Sequence, residues 1–148
     1  MKKKFNKPGL ACVLAITLLV LNSSFTNQGN KSANEKAIKN YYGAYEKKDW
    51  KMLSAILANG FTFTSPNDDH IDVKTYKKRC WPNCYHVKKF DIDKLMIEGD
   101  EAFVTYNGWT TDGKLFRNTE YFTFKDGKIL QNVCYFGPGV SFPNNTKK

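Results

Sequence analysis

Residues 115–136 read LFRNTEYFTFKDGKILQNVCYF, and this stretch decides the fold. Apolar and polar residues alternate through 115–124 and again through 128–136, which is the period of a strand with one buried face. Asp126-Gly127 lies between the two runs, and an Asp-Gly pair in that position is typical of a β-hairpin. The stretch therefore predicts two antiparallel strands joined by a tight turn.

The same pattern continues toward the N-terminus. Strands are predicted over Phe90 to Ile97 and Ala102 to Thr110, with turns at Gly99-Asp100 and Asp112-Gly113. With the two strands above, they form an antiparallel meander of four strands.

Helices are predicted upstream of the meander. A first helix begins near Asn34, and its apolar residues recur at spacings of three and four along one face: Ile38, Tyr41, Tyr42 and Tyr45. Asp49 caps a second helix, which Asn59-Gly60 ends, and a strand over 61–65 follows. A loop over 67–70 then leads to a third helix, which begins at Asp72 and is closed by Pro82.

This order of elements predicts an α+β fold. A curved antiparallel sheet wraps around the N-terminal helices to form a cone, the cystatin-like α+β barrel, and a pocket lies between sheet and helices.

The N-terminus has the features of a signal peptide. Four lysines among residues 2–7 precede the apolar run 10–21, which is short for a membrane span. We expect residues 1–30 to be the signal peptide and the start of a linker, 31–137 the domain, and 138–148 a flexible tail. The protein is then exported, either periplasmic or secreted, and meets the membrane only through this segment; an uncleaved anchor is the alternative.

The charge of the mature chain argues against nucleic acid as a partner. The full sequence carries a net charge of +9, and without residues 1–30 it has 19 basic and 14 acidic residues, a net charge of +5. The basic residues form short separate clusters rather than one stripe.

Cysteine and histidine content argues against a metal site, and no cofactor is expected. Cys80, Cys84 and Cys134 remain after cleavage, with only His70 and His86 to complete a ligand set. In an oxidising compartment Cys80 and Cys84 could form a disulfide, or the thiols could stay buried.

Glu120 is the first candidate for chemistry. Period two places Glu120 and Asn118 on the same strand face as three phenylalanines. A carboxyl group buried there has a raised pKa and can act as a neutral hydrogen-bond donor. The alternatives are that this face meets solvent or that Glu120 pairs with a lysine.

The loop over 67–70 supplies further candidates. His70 lies beside carboxylates at the expected pocket mouth, where it or Asp68 could move a proton. For the aspartates of this region, capping of the third helix is the alternative.

The remaining candidates are residues that we expect mainly to fill the core and secondarily to line the ligand pocket. Tyr41 has a hydroxyl that needs a partner if buried. The expected ligand-binding side chains are Phe63, Ser65, Trp81, Tyr106, Asn118 and Tyr135.

The segments YYGAYEKKDW, FTFTSPNDDHI, RCWPN, GDEAFVTY, RNTEYFTFKDGKI and VCYFG resemble, in this order, the SnoaL-like branch of the nuclear transport factor 2-like superfamily. The superfamily includes ketosteroid isomerases, polyketide cyclases, epoxide hydrolases and domains without catalysis. The resemblance therefore implies the fold and leaves the activity open. It also implies a homodimer formed through the curved sheet.

Comparison with ketosteroid isomerases assigns roles to three residues. Tyr41 takes the position of their oxyanion-hole tyrosine, and Glu120 that of their protonated aspartic acid. Ser65 stands where they carry an aspartate base, and serine cannot move that proton. The resemblance thus implies either a pocket that binds a small apolar or aromatic molecule, or an isomerase- or lyase-like enzyme with Tyr41 and Glu120 as oxyanion donors and His70 or Asp68 as proton shuttle.

Overall fold

A computed structural model describes residues 30–139 of the chain. Helix α1 spans 30–47, α2 Trp50–Ala55 and α3 Val73–Arg79, and a 3-10 helix spans Trp81–His86. The six strands are β1 Leu57–Ser65, β2 Asp68–Asp72, β3 Val87–Glu98, β4 Glu101–Thr110, β5 Leu115–Lys125 and β6 Lys128–Gly139. Most of the signal peptide and tail predicted for 1–30 and 138–148 lies outside the described residues.

The strands form one curved, open sheet in the order β2-β1-β6-β5-β4-β3. The predicted α+β architecture and the antiparallel meander β3 to β6 are confirmed. The sheet as a whole is mixed rather than antiparallel, because β1 runs parallel to β6. A parallel pair requires a long crossover between its strands, and here the chain from β2 to β5 provides it.

The three predicted hairpin turns of the meander are confirmed. Gly99 and Gly113 have φ of 56° and 82°, and Asp126 and Gly127 have 53° and 70°. Only Asp126 and Gly127 are both positive, which is the geometry of the two-residue turn that matches the twist of the flanking strands, whereas each of the other two turns has one left-handed glycine.

The segment between α2 and β1 differs from the sequence prediction. Asp49 caps α2, as predicted, through a 2.9 Å hydrogen bond that its carboxylate accepts from the Met52 amide. The helix ends at Ala55, and Asn59-Gly60 lies within β1 rather than at a helix end. Gly60 adopts its left-handed φ of 82° where the pairing of β1 with β6 is irregular, so the positive φ belongs to a bulge.

The predicted loop over 67–70 is largely strand β2, which pairs with β1 and forms an edge of the sheet. The capping expected at the next helix is supplied by Asp72, which accepts a 2.8 Å hydrogen bond from the amide of Thr75. Pro82 lies in the 3-10 helix that follows α3.

The core fills the space between α1 and the inner face of the sheet. Even-numbered residues of β4 and β5 are buried and the odd-numbered ones are more exposed, which gives the alternation of a sheet with one covered face. From the helix, the ring of Tyr41 packs edge-on against Phe122 at 5.4 Å. Among the described helices, none has the length and apolar composition needed to cross a bilayer.

The outer face of the sheet carries an apolar row across four strands. Cross-strand pairing aligns Met96, Phe103, Tyr121 and Val133, which we call the outer row. The rings of Phe103 and Tyr121 lie 4.9 Å apart, and Phe103 remains half exposed.

Candidate functional site

A cavity of about 70 Å³ lies between α1 and the inner face of the sheet. Seven of its lining residues are aromatic: Tyr41, Tyr42, Tyr45, Phe63, Phe90, Tyr106 and Phe136. Six have polar or charged side chains: Ser65, Asn67, Asp68, Asn83, Asn118 and Glu120. Val87 and the thiols of Cys80 and Cys134 complete the wall. The cavity is therefore a mainly aromatic space with a few fixed polar groups, the usual composition of a small-molecule site.

Glu120 extends from the centre of β5 into this cavity and is 5 % exposed. The hydroxyl of Tyr106 donates a 2.9 Å hydrogen bond to Oε1. The hydroxyl of Tyr42 and the amide of Asn132 donate to Oε2 at 3.1 and 2.9 Å. The carboxyl group thus links α1, β4 and β6 to β5.

Burial is the largest electrostatic influence on Glu120. Within residues 30–139 no lysine or arginine forms an ion pair with it. Burial raises the pKa of Glu120 above its ordinary value, and the hydrogen bonds from Asn132, Tyr106 and Tyr42 offset part of that rise. Burial likewise raises the pKa values of Tyr42 and Tyr106, so both phenols keep their protons.

A second hydrogen-bond cluster joins three tyrosines. The hydroxyl of Tyr76, from α3, lies 2.7 Å from that of Tyr41 and 2.6 Å from that of Tyr45. All three rings are buried, and Tyr41 and Tyr45 line the cavity while Tyr76 lies behind them.

The hydroxyl protons of this cluster can be assigned from its contacts. The three hydroxyl groups carry three protons, and the two hydrogen bonds that involve Tyr76 use two of them. If Tyr76 kept the third, a fully buried donor would lack an acceptor among the described residues, which is costly. The third proton therefore belongs to Tyr41 or Tyr45, the two members of the cluster that line the cavity.

Asp68 lies where β2 begins, and its side chain is 2 % exposed. Oδ1 is 2.8 Å from Nη2 of Arg79, whose own side chain is half exposed. The hydroxyl of Ser65 and the thiol of Cys80 approach Oδ2 at 3.5 and 3.7 Å. Burial and the neighbouring carboxylate raise the pKa of the Cys80 thiol to about 12.

The cavity brings together seven of the ten residues singled out from the sequence: Tyr41, Phe63, Ser65, Asp68, Tyr106, Asn118 and Glu120. Their chemical roles remain predictions. The even-numbered face of β5 that carries Asn118 and Glu120 points inward, as the alternation indicated.

Three predicted site residues lie outside the lining of this cavity. The side chain of His70 is 63 % exposed, and its Nδ1 contacts Oδ1 of Asp69 at 2.5 Å. Tyr135 is 55 % exposed, because the odd-numbered residues at this part of β6 face outward. Trp81 is buried, but its ring packs against Tyr45 and Trp50. In a regular strand His70 would share the face of Asp68, but the register of β1 and β2 is interrupted between Phe63 and Ser65 and His70 has a left-handed φ of 46°. His70 is therefore exposed to solvent while Asp68 is buried.

The sequence reasoning missed several residues of the site. Tyr42 rather than Tyr41 bonds to Glu120, and Asn132 is a further donor. The helical spacing predicted that Tyr41 and Tyr42 lie on the same face of α1, but it could not show which of them contacts Glu120. A signal for Asn132 did exist, since a polar residue stands at an inward position of β6, paired with Phe122 of β5.

The cysteines do not form a disulfide in the described residues. Cys80, Cys84 and Cys134 are all free and buried. Residues 30–139 also hold no group of three or more histidine, cysteine or acidic side chains arranged to bind a metal ion.

A family model described as the SnoaL-like domain matches residues 38–132. The match runs from α1 into β6 and so includes Tyr41, Tyr42, Asp68, Glu120 and Asn132. No curated protein sequence matches this chain closely enough to count as a relative.

Solved structures share the fold at low sequence identity. A Kribbella flavida protein provisionally assigned as a ketosteroid isomerase is 15 % identical with a TM-score of 0.62, and the match covers 79 % of this chain and 90 % of that one. An LEH-like epoxide hydrolase from M. tuberculosis is 15 % identical with a TM-score of 0.60, over 72 % and 84 %. A nuclear transport factor 2-like protein of unknown function from Cytophaga hutchinsonii is 19 % identical with a TM-score of 0.58, over 71 % and 90 %. At these identities the similarity shows the fold alone.

Proposed function

Because this chain belongs to the SnoaL-like domain family, whose fold serves several activities, we propose that it is an exported protein whose cavity binds a small apolar or aromatic molecule bearing an oxygen acceptor. The observation that carries the proposal is the Glu120 carboxyl group, buried in an aromatic cavity without a cationic partner among the described residues.

The aromatic wall supports a flat or apolar ligand. Phe90 packs edge-on against Tyr42 and Tyr106 at 5.1 Å, so three rings form one rigid surface. Such a surface is already ordered before binding, and a ligand ring that covers it loses water contact without ordering new side chains.

The polar groups of the cavity support an oxygen acceptor on that ligand. In its protonated form Glu120 has one O–H proton to donate, and Tyr41 and Tyr45 bring further hydroxyl groups to the cavity wall. A ketone, ester or phenol oxygen can accept from these groups. An anionic ligand is disfavoured, because it would place a negative charge near the buried carboxyl group of Asp68 in the same cavity.

Binding of acetophenone tests this proposal, because it joins a ring to one carbonyl oxygen. With a ¹³C-labelled carbonyl carbon, we expect saturable binding and a downfield shift of the carbonyl resonance when the oxygen accepts a hydrogen bond. Ethylbenzene, which has a similar shape and no acceptor, should bind about tenfold more weakly. Equal affinities for the two molecules would contradict an oxygen-accepting ligand.

The second candidate function is proton-transfer catalysis, and one observation favours it. The cavity is lined by a second carboxyl group, that of Asp68, together with the donors Glu120 and Tyr41. In such an isomerase, Asp68 would remove a proton from the carbon next to a carbonyl group and return it further along the conjugated system. Glu120 and Tyr41 would donate hydrogen bonds to the enolate oxygen.

Conversion of 3-cyclohexen-1-one to its conjugated isomer tests the second candidate and can be followed by ultraviolet absorbance. Asp68→Asn should reduce kcat about a hundredfold or more, whereas Asp93→Asn, at an exposed position of β3, should leave it unchanged. Absence of turnover above the buffer rate with the wild-type protein would leave ligand binding as the function.

A further inference from the structure

Asp68 is a buried acid in the cavity that belongs to neither hydrogen-bond cluster. It lies at the end formed by the β1–β2 hairpin and the start of the 3-10 helix, where Ser65, Asn83 and Cys80 also line the wall. Its side chain is 2 % exposed, although it carries a group that needs strong partners when buried.

The two carboxylate oxygens of Asp68 have unequal partners. Oδ1 is paired with Arg79 at 2.8 Å. Among the described residues, Oδ2 is approached by the Ser65 hydroxyl at 3.5 Å and the Cys80 thiol at 3.7 Å. The first distance is at the limit for a hydrogen bond, and a thiol is a weak donor. Despite this ion pair, Oδ1 is buried and accepts no hydrogen bond among the described residues. The carboxylate therefore has unused capacity to accept one from a ligand in the cavity that Asp68 lines.

The sheet register sets the separation between Asp68 and Glu120. Thr64 of β1 pairs with Val133 of β6, so Ser65 lies one residue further along, beside Cys134. Cys134 in turn pairs with Glu120 of β5. Asp68 itself pairs with Ser65 from β2, the next strand outward, so the backbones at Asp68 and Glu120 are three strand spacings apart, roughly 14 Å. Both side chains line the same cavity, so a ring compound with substituents at both ends can bridge the shorter gap between them.

We propose that Asp68 forms a second subsite, which binds a hydroxyl or amino group of the same ligand that Glu120 holds by its oxygen. The inference rests on the proposed ligand-binding function and narrows the ligand to one class. That class is a small ring compound with an oxygen acceptor at one end and an O–H or N–H donor at the other. The Arg79 guanidinium lies 2.8 Å from Asp68, and a hydrogen bond from the ligand to the carboxylate of this ion pair is charge-assisted.

Ring-substituted acetophenones test the second subsite. We expect at least one of 3′-hydroxy-, 4′-hydroxy-, 3′-amino- or 4′-aminoacetophenone to bind the wild-type protein about tenfold more tightly than acetophenone in calorimetric titrations. Asp68→Asn should remove most of that gain, because a neutral amide oxygen is a weaker acceptor than a carboxylate. The measure is the ratio of the affinities for the donor-bearing compound and for acetophenone, which should fall toward one in Asp68→Asn.

Asp69→Asn is the matched control, since it makes the same change at an exposed carboxylate of β2 that does not line the cavity and leaves Asp68 and its ion pair in place. The preference for the donor-bearing compounds should persist in this variant. The second subsite is refuted if acetophenone binds and no donor-bearing compound gains affinity, or if Asp68→Asn retains the gain. Failure of acetophenone itself to bind would overturn the proposed function, and the second subsite with it.

Discussion

The Tyr42 hydroxyl donates a 3.1 Å hydrogen bond to Oε2 of Glu120, and this contact connects the first helix to the centre of the sheet across 78 positions of sequence. Both groups are buried and both line the cavity. The contact therefore contributes to the fold and to the proposed binding site together.

Glu120→Gln changes how stability depends on pH. Because the pKa of Glu120 is raised in the folded protein, the folded state holds this proton more tightly than the unfolded state does. Wild-type stability should therefore fall, relative to the variant, as pH rises from the ordinary glutamate range through the raised pKa. Urea denaturation of both proteins from pH 4 to pH 9 measures the difference. A difference that does not vary with pH would show that Glu120 has the same pKa in both states.

Tyr42→Phe should raise the pKa of Glu120 further, because it removes one of the hydrogen bonds that stabilise the charged carboxylate. Loss of this hydrogen bond should also cost about 1 kcal/mol of unfolding free energy. A ¹³C-detected titration of the Glu120 carboxyl carbon gives the pKa. Tyr41→Phe is the control, since its hydroxyl bonds to Tyr76; an equal shift in both variants would argue against a specific role for Tyr42.

Gly108→Ala should destabilise the packing between β4 and β5. A Cβ atom at Gly108 would lie 2.2 Å from the ring of Phe116, its cross-strand neighbour, so that ring would have to move. We expect a loss of about 1–3 kcal/mol in chemical denaturation. Gly43→Ala, in the first helix, meets only an ordinary 3.5 Å contact with Met52. It should stabilise the protein by up to about 1 kcal/mol, and equal effects of the two substitutions would contradict this packing argument.

The outer row supports the homodimer expected from the family resemblance, and we propose it as the dimer face. Met96 and Phe103 are 60 % and 49 % exposed, and they continue into Tyr121 and Val133 across the sheet. Sedimentation velocity should show a dimer that Phe103→Glu dissociates, whereas Tyr85→Glu, at an exposed aromatic residue of the 3-10 helix, should not. A wild-type monomer at high micromolar concentration would contradict the proposal.

Export remains a prediction from the N-terminal sequence alone. Expression in a bacterial host with an intact secretion pathway should yield a mature chain that lacks the lysine-rich start and the apolar run 10–21. Intact mass of the protein from the periplasm or medium identifies the bond cleaved. Recovery of the full-length chain in the membrane fraction would favour the uncleaved anchor.

Local sequence determined much of the fold. The alternation through 115–124 predicted that Asn118 and Glu120 face the core, and the structure has both buried. The turns at Gly99-Asp100, Asp112-Gly113 and Asp126-Gly127 could also be predicted. These features depend on the two-residue period of a strand and on positive φ in tight turns, which neighbouring residues control.

Only the tertiary structure decided which polar groups meet. Tyr41 and Tyr42 have the same helical pattern, yet Tyr41 contacts Tyr76 and Tyr42 contacts Glu120. Asp68 enters the cavity and His70 does not, because the β1–β2 pairing is irregular and the left-handed φ of His70 breaks the alternation of an ordinary strand. Such choices depend on the rotation of a helix over the sheet and on the register of distant strands. Both are set by packing between segments far apart in sequence, for which periodicity carries no signal.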